Sequence, residues 1–152
     1  MKRIRILFLI YVLVSLPIFA QKGLHVNEIF DGRYRKSPNA VEIVVTGAMA
    51  NKMKLNVFHS LTISNEKNVV DNVERLVIKD GVTAVDKETE YRGGKLYYGF
   101  YRLKPNEGAK GMNKYLFYLN QMLASKNPTE KITIIYMESR ESANYIKSLI
   151  RN

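Results

Sequence analysis

Val85-Asp86-Lys87-Glu88-Thr89-Glu90-Tyr91-Arg92-Gly93-Gly94-Lys95-Leu96-Tyr97-Tyr98-Gly99-Phe100-Tyr101-Arg102-Leu103 reads as a β-hairpin, and the remaining architecture is built around it. Gly93-Gly94 separates two runs of strand-forming character. A two-residue loop requires positive φ, which glycine adopts without a Cβ clash. The strands are then 85–91 and 96–103, with Tyr91 facing Leu96, Thr89 facing Tyr98 and Lys87 facing Phe100. On the other face of the pair, Glu90 falls opposite Tyr97 and Asp86 opposite Tyr101.

Working outward from the hairpin, 115–120 is continuous and aromatic and 132–137 is β-branched, so both read as strands. For 114–121 the reading is open, because Leu116, Leu119 and Leu123 would also share one helix face. Upstream, 41–45 is a β-branched run ending before Gly47, and 57–63 carries Val57, Leu61 and Ile63. Between 57–63 and the hairpin, Val69, Val73, Leu76 and Val77 recur at helical spacing, with Ser64 or Asn65 as the expected cap and Asp80-Gly81 as the stop. A second helix follows Ser139, with Ala143, Ile146, Leu149 and Ile150 inward and Lys147 and Arg151 in its last turn. Val26, Ile29 and Phe30 suit a short helix ending at Gly32, and 33–39 is a basic connector. This order predicts an α+β fold: a mostly antiparallel sheet of five to six strands with two to three helices packed on one face.

The N-terminus follows a different logic. Lys2, Arg3 and Arg5 precede an apolar segment from Ile6 to Phe19, which is broken only by Ser15 and Pro17 and closes at Ala20. A charged start, an apolar core and a small terminal residue form a secretory signal, and fourteen residues fall short of the ~20 that cross a bilayer. Residues 1–20 are therefore expected to be a signal peptide cleaved after Ala20, and 21–152 a single domain with no transmembrane segment after cleavage. The expected location is the periplasm or the exterior. Of the chain's +10 net charge, +7 remains once Lys2, Arg3 and Arg5 depart. That basic balance alone would suit nucleic acid, but export argues against such a partner and favours an envelope glycan, an anionic lipid or another envelope protein. The chain has no cysteine, which excludes disulfides, thiolate metal sites and a cysteine nucleophile. No cofactor is implied.

Gln21-Lys22-Gly23-Leu24, Val41-Glu42, Phe58-His59-Ser60-Leu61, Tyr97-Tyr98-Gly99-Phe100-Tyr101 and Ile135-Tyr136-Met137-Glu138 together resemble a family of small exported proteins typical of Bacteroidetes, grouped as a domain of unknown function. The resemblance spans the mature chain and implies an envelope or secreted setting. It carries over no catalytic or ligand residue.

Two candidate surfaces remain. Asp86, Glu88 and Glu90 alternate along one strand, so their carboxylates share a face at ~7 Å intervals, a spacing that suits a calcium ion or an acid–base pair and equally a solvated strand face. Tyr97 and Tyr101 would stand beside those acids and could stack on a sugar ring or anchor a protein partner, although tyrosine is also simply a good sheet former. His25 and His59 lack a metal-type neighbour in sequence. The leading functional reading is a non-enzymatic binding or interaction module. The alternatives are a hydrolase or metal-dependent enzyme built on Asp86, Glu88 and Glu90, and a structural subunit of an envelope assembly, whose mark would be a long uncapped sheet edge.

Overall fold

A computed structural model of the 152-residue chain describes residues 23–151, so the expected signal peptide and its cleavage site lie outside the described residues. The elements in chain order are β1 (Ala40–Thr46), α1 (Gly47–Lys52), β2 (Val57–Ser64), α2 (Lys67–Gly81), β3 (Asp86–Arg92), β4 (Lys95–Leu103), β5 (Asn113–Asn120), β6 (Lys131–Ser139) and α3 (Ala143–Arg151), with 3-10 turns at His25–Glu28 and Gln121–Leu123. The six strands form one antiparallel sheet in the order β1-β2-β6-β5-β4-β3. The α+β class and the antiparallel sheet are as the sequence predicts, and 113–120 is a strand.

The layering is fuller than one covered face. α2 and the first 3-10 turn pack Val26, Phe30, Val73, Leu76 and Val77 against Leu61, Leu116, Tyr118 and Tyr136 on one side of the sheet. α3 and α1 pack Ile146 and Ala50 against Phe100, Tyr115, Phe117 and Met137 on the other. This two-sided cover explains why β5 reads as a continuous apolar run rather than an alternating one, since every position has a core to enter. Each fully buried large side chain contributes about 1.5–3 kcal/mol, so the central strands anchor the fold.

Local structure departs from the sequence reading at several points. The segment around Val26 forms a single 3-10 turn, because the Asp80 carboxylate accepts hydrogen bonds from the main-chain N–H groups of His25 and Val26 and holds them at the end of α2. α2 starts at Lys67 after Glu66, since Ser64 is still the end of β2 and Asn65 sits at φ 58°. Its buried stripe runs through Val70, with Val69 only half-buried. α3 is capped by Ser142, whose hydroxyl accepts from the Tyr145 N–H, while the Ser139 hydroxyl donates to the Lys54 carbonyl.

The hairpin turn lies where expected, with Gly93 at φ 56° and Gly94 at φ 77°. Tyr91 does face Leu96, but the register then shifts at Glu90/Tyr91. Tyr97 is the extra residue on β4, so Glu90 pairs with Tyr98, Glu88 with Phe100 and Asp86 with Arg102. The bulge has a packing cause. Strict alternation would put Leu96 and Tyr98 on one face, whereas Leu96 is fully buried beneath α2 and Tyr98 packs on the α3 side.

Candidate functional site

The candidate site lies on the α3 face near the β3 edge. β4 supplies Tyr98, β5 supplies Phe117 and Leu119, and the last turn of α3 supplies Lys147, Ile150 and Arg151. The β4–β5 register places Tyr98 beside Leu119 and Phe100 beside Phe117, which sets the strand residues on one face. The Tyr98 and Phe117 rings meet edge-to-face at 5.7 Å and 76°, a geometry that fixes both rings.

α3 is fastened over this face at its other end. The Tyr145 hydroxyl donates to the Met53 carbonyl at 3.0 Å, and the Tyr115 hydroxyl donates to the Glu141 carbonyl at 2.7 Å. Ile146 is fully buried below them. Between the last turn of α3 and the sheet lies a cavity of about 200 Å3 with mostly apolar walls. Lys147 and Arg151 form its lip. Lys147 is ion-paired with Glu88 and lies over the Phe100 ring. Among the described residues no carboxylate is within ion-pair distance of Arg151. Burial raises the Tyr98 hydroxyl above its ordinary pKa, with Glu88 pushing the same way and Lys147 and Arg151 opposing, so the phenol stays neutral and able to donate.

The residues singled out in the sequence are dispersed around this site. Asp86, Glu88 and Glu90 are exposed and share the α3 face, but two of them are taken up by cations: Glu88 binds Lys147 and Glu90 binds Arg92 at 2.8 Å, while Asp86 is the register partner of Arg102 on β4. No group of three or more His, Asp or Glu among the described residues is placed to hold one metal ion. Tyr97 is half-buried on the bulge, with the Arg92 guanidinium 3.5 Å above its ring. Tyr101 is 2% exposed, and its ring is pressed between Gly81 and Gly99. A Cβ at Gly99 would lie 2.7 Å from the Tyr101 ring, so the close approach needs glycine there. Tyr101 is therefore a core residue and forms no surface platform.

Both histidines have acidic partners that sequence neighbours do not reveal. His25 Nδ1 lies 2.8 Å from Asp80. His59 is fully buried, its Nε2 2.7 Å from a Glu42 oxygen, while Arg35 reaches the other Glu42 oxygen at 3.1 Å. Burial holds the His59 pKa below its ordinary value despite the pull of Glu42, so a neutral imidazole donates to the carboxylate. Phe30 packs on the His59 ring at 4.3 Å and helps to bury it. The arrangement ties β1 to β2 and is structural.

Among the described residues no helix is long and apolar enough to cross a membrane. The molecule is thus an α+β domain whose antiparallel sheet is covered by helices on both faces, with one small apolar cavity beside a charged sheet edge. The chain belongs to a family of unknown function, DUF6108, which matches residues 13–150. Neither the curated proteins nor the solved structures yielded a match.

Proposed function

We propose that this protein is a non-enzymatic interaction module of the exported fraction, periplasmic or extracellular, that anchors one apolar side chain of a protein partner in the Tyr98–Phe117–Leu119–Ile150 cavity. One observation carries the reading: an apolar cavity whose lip holds a cation, Arg151, paired with no described carboxylate. The volume favours a protein partner. Whole small-molecule ligands generally occupy ~300–1,000 Å3, whereas about 200 Å3 matches a single Phe, Leu or Ile side chain. Apolar pockets that receive one side chain are where interface anchors concentrate their binding energy. A glycan would need paired polar groups around the aromatic wall, and the walls here are apolar. Arg151 then favours a partner with an acidic residue or terminal carboxylate next to the anchor.

The experiment uses 3-phenylpropionate, a ring with a carboxylate, and its neutral amide as probes in calorimetry. The expected result is saturable binding of both, abolished by Ile150→Asp. Arg151→Ala should weaken the anion several-fold, the size of an exposed charge pair at about 1 kcal/mol, and leave the amide unchanged. Equal binding of both probes by the Ile150→Asp variant would refute the site.

A further inference from the structure

We propose that β1 is a pairing edge for a second copy of this chain, two β1 strands joining antiparallel about a two-fold axis at Ile43. This surface is separate from the anchor cavity and extends the account beyond it.

Among the described residues β1 is the terminal strand of the sheet and pairs only with β2. The Ser64 N–H donates to the Asn39 carbonyl, and this bond sets the alternation along the pair. Residues 41, 43 and 45 direct their main-chain groups toward β2, and Glu42 and Val44 direct theirs outward. Among the described residues the open main-chain donors and acceptors are those of Glu42 and Val44, since the Ala40 N–H already donates to the Ser37 carbonyl, and such open groups specify a strand as occupant. An open groove follows this edge, lined by Arg35, Ala40, Val41, Glu42 and Val44. Along it, Val41 is 61% exposed, Ile43 49% and Val44 39%, three β-branched residues on one short strand.

The pattern is self-complementary. With Ile43 opposite Ile43 of the second copy, Glu42 falls opposite Val44, Val41 opposite Val45 and Ala40 opposite Thr46, so all seven residues of Ala40–Thr46 overlap. The outward groups of Glu42 and Val44 then meet their counterparts in register, as an antiparallel ladder requires. The single charge in the strand, Glu42, is already held by Arg35 and His59 and faces an apolar residue. The opposite edge fails the same test. Centred on Thr89, two copies of β3 would set Glu88 against Glu90 twice, and the bulge at Glu90/Tyr91 would twist the pair apart. Only one edge of this sheet therefore admits a like strand.

Sedimentation of the full chain across a wide concentration range tests the proposal. The wild type should pass from monomer to dimer as concentration rises. Ile43→Lys places two like charges together on the axis, and Val44→Pro removes an outward N–H without touching the β1–β2 ladder. Both variants should stay monomeric, with the wild-type circular dichroism spectrum as the check on folding. A wild type that is monomeric at every concentration would overturn the proposal, as would a dimer that survives both substitutions.

Discussion

The two edges of the sheet are built on opposite principles. β3 reads Asp-Lys-Glu-Thr-Glu-Tyr-Arg, with charges at five of its seven positions, cation partners for Glu88 and Glu90, and a bulge that breaks its register with β4. β1 reads Ala-Val-Glu-Ile-Val-Val-Thr, runs without a register shift against β2, and turns its one acid toward a buried histidine. Charge along the strand, paired acids and a bulge in the neighbouring strand protect β3. β1 carries a single charge, the inward Glu42, and no bulge. An acid on an edge thus has two different meanings: on β3 it keeps the strand in water, and on β1 it holds the strand to the fold.

The largest expected effect separates those meanings. Glu42→Ala leaves His59 and Arg35 without their shared carboxylate and should cost about 2–4 kcal/mol in urea denaturation, because the lost acceptor serves a buried donor. Glu88→Gln, on the solvent side of β3, should cost less than about 1 kcal/mol. Equal costs would erase the contrast. Next is the turn that presents β3 to β4. Gly93 stands at φ 56° with open space around it, so Gly93→Val adds backbone strain alone and should lower stability by about 1–3 kcal/mol. An unchanged thermal midpoint would show that the turn tolerates a side chain.

Acid should act on the β1 side. Burial depresses the His59 pKa in the folded state, so below about 6.5 the unfolded chain takes up a proton that the folded one refuses. The stability that neutral His59 permits is complete above that value and falls as pH drops, by at most about 1.4 kcal/mol per pH unit. Denaturation midpoints read on either side of that value should show the fall, and His59→Gln should flatten it. The smallest effect belongs to the acidic stripe. Melting curves in calcium and in chelator should superimpose. Replacing Asp86, Glu88 and Glu90 together by Asn and Gln should move stability by less than about 1 kcal/mol in either direction. A rise of several degrees with calcium would make β3 a cation site instead of a protected edge.

The strands and the hairpin turn were legible because their signals are local: β-branched runs, and Gly93-Gly94 supplying positive φ. The register beyond the turn was not. It depends on Leu96 and Tyr98 entering cores on opposite faces, and those cores are completed by Val73 and Leu76 on α2 and by Ile146 on α3. No spacing within the hairpin encodes the two covers. α1 was missed for a related reason, since Gly47–Lys52 is too short to show a periodic face and buries only Ala50. The cavity collects Tyr98, Phe117, Leu119 and Ile150 from three elements, and only the β4–β5 register and the placement of α3 bring them together. A partial signal did exist in the sequence. Ile150, Lys147 and Arg151 mark the last turn of an amphipathic helix, and an inward Ile at a helix end implies an apolar surface to receive it. The Glu42–His59 pair joins residues on neighbouring strands, where only the β1–β2 register brings them within reach.

The most direct test of the account is a methyl NMR titration of the full chain with 3-phenylpropionate at constant protein concentration. The account predicts saturable shifts at the Leu119 and Ile150 methyls, while those of Val41 and Ile43 on β1 stay fixed. A spectrum unmoved up to the solubility limit of the probe, or shifts centred on β1, would contradict it.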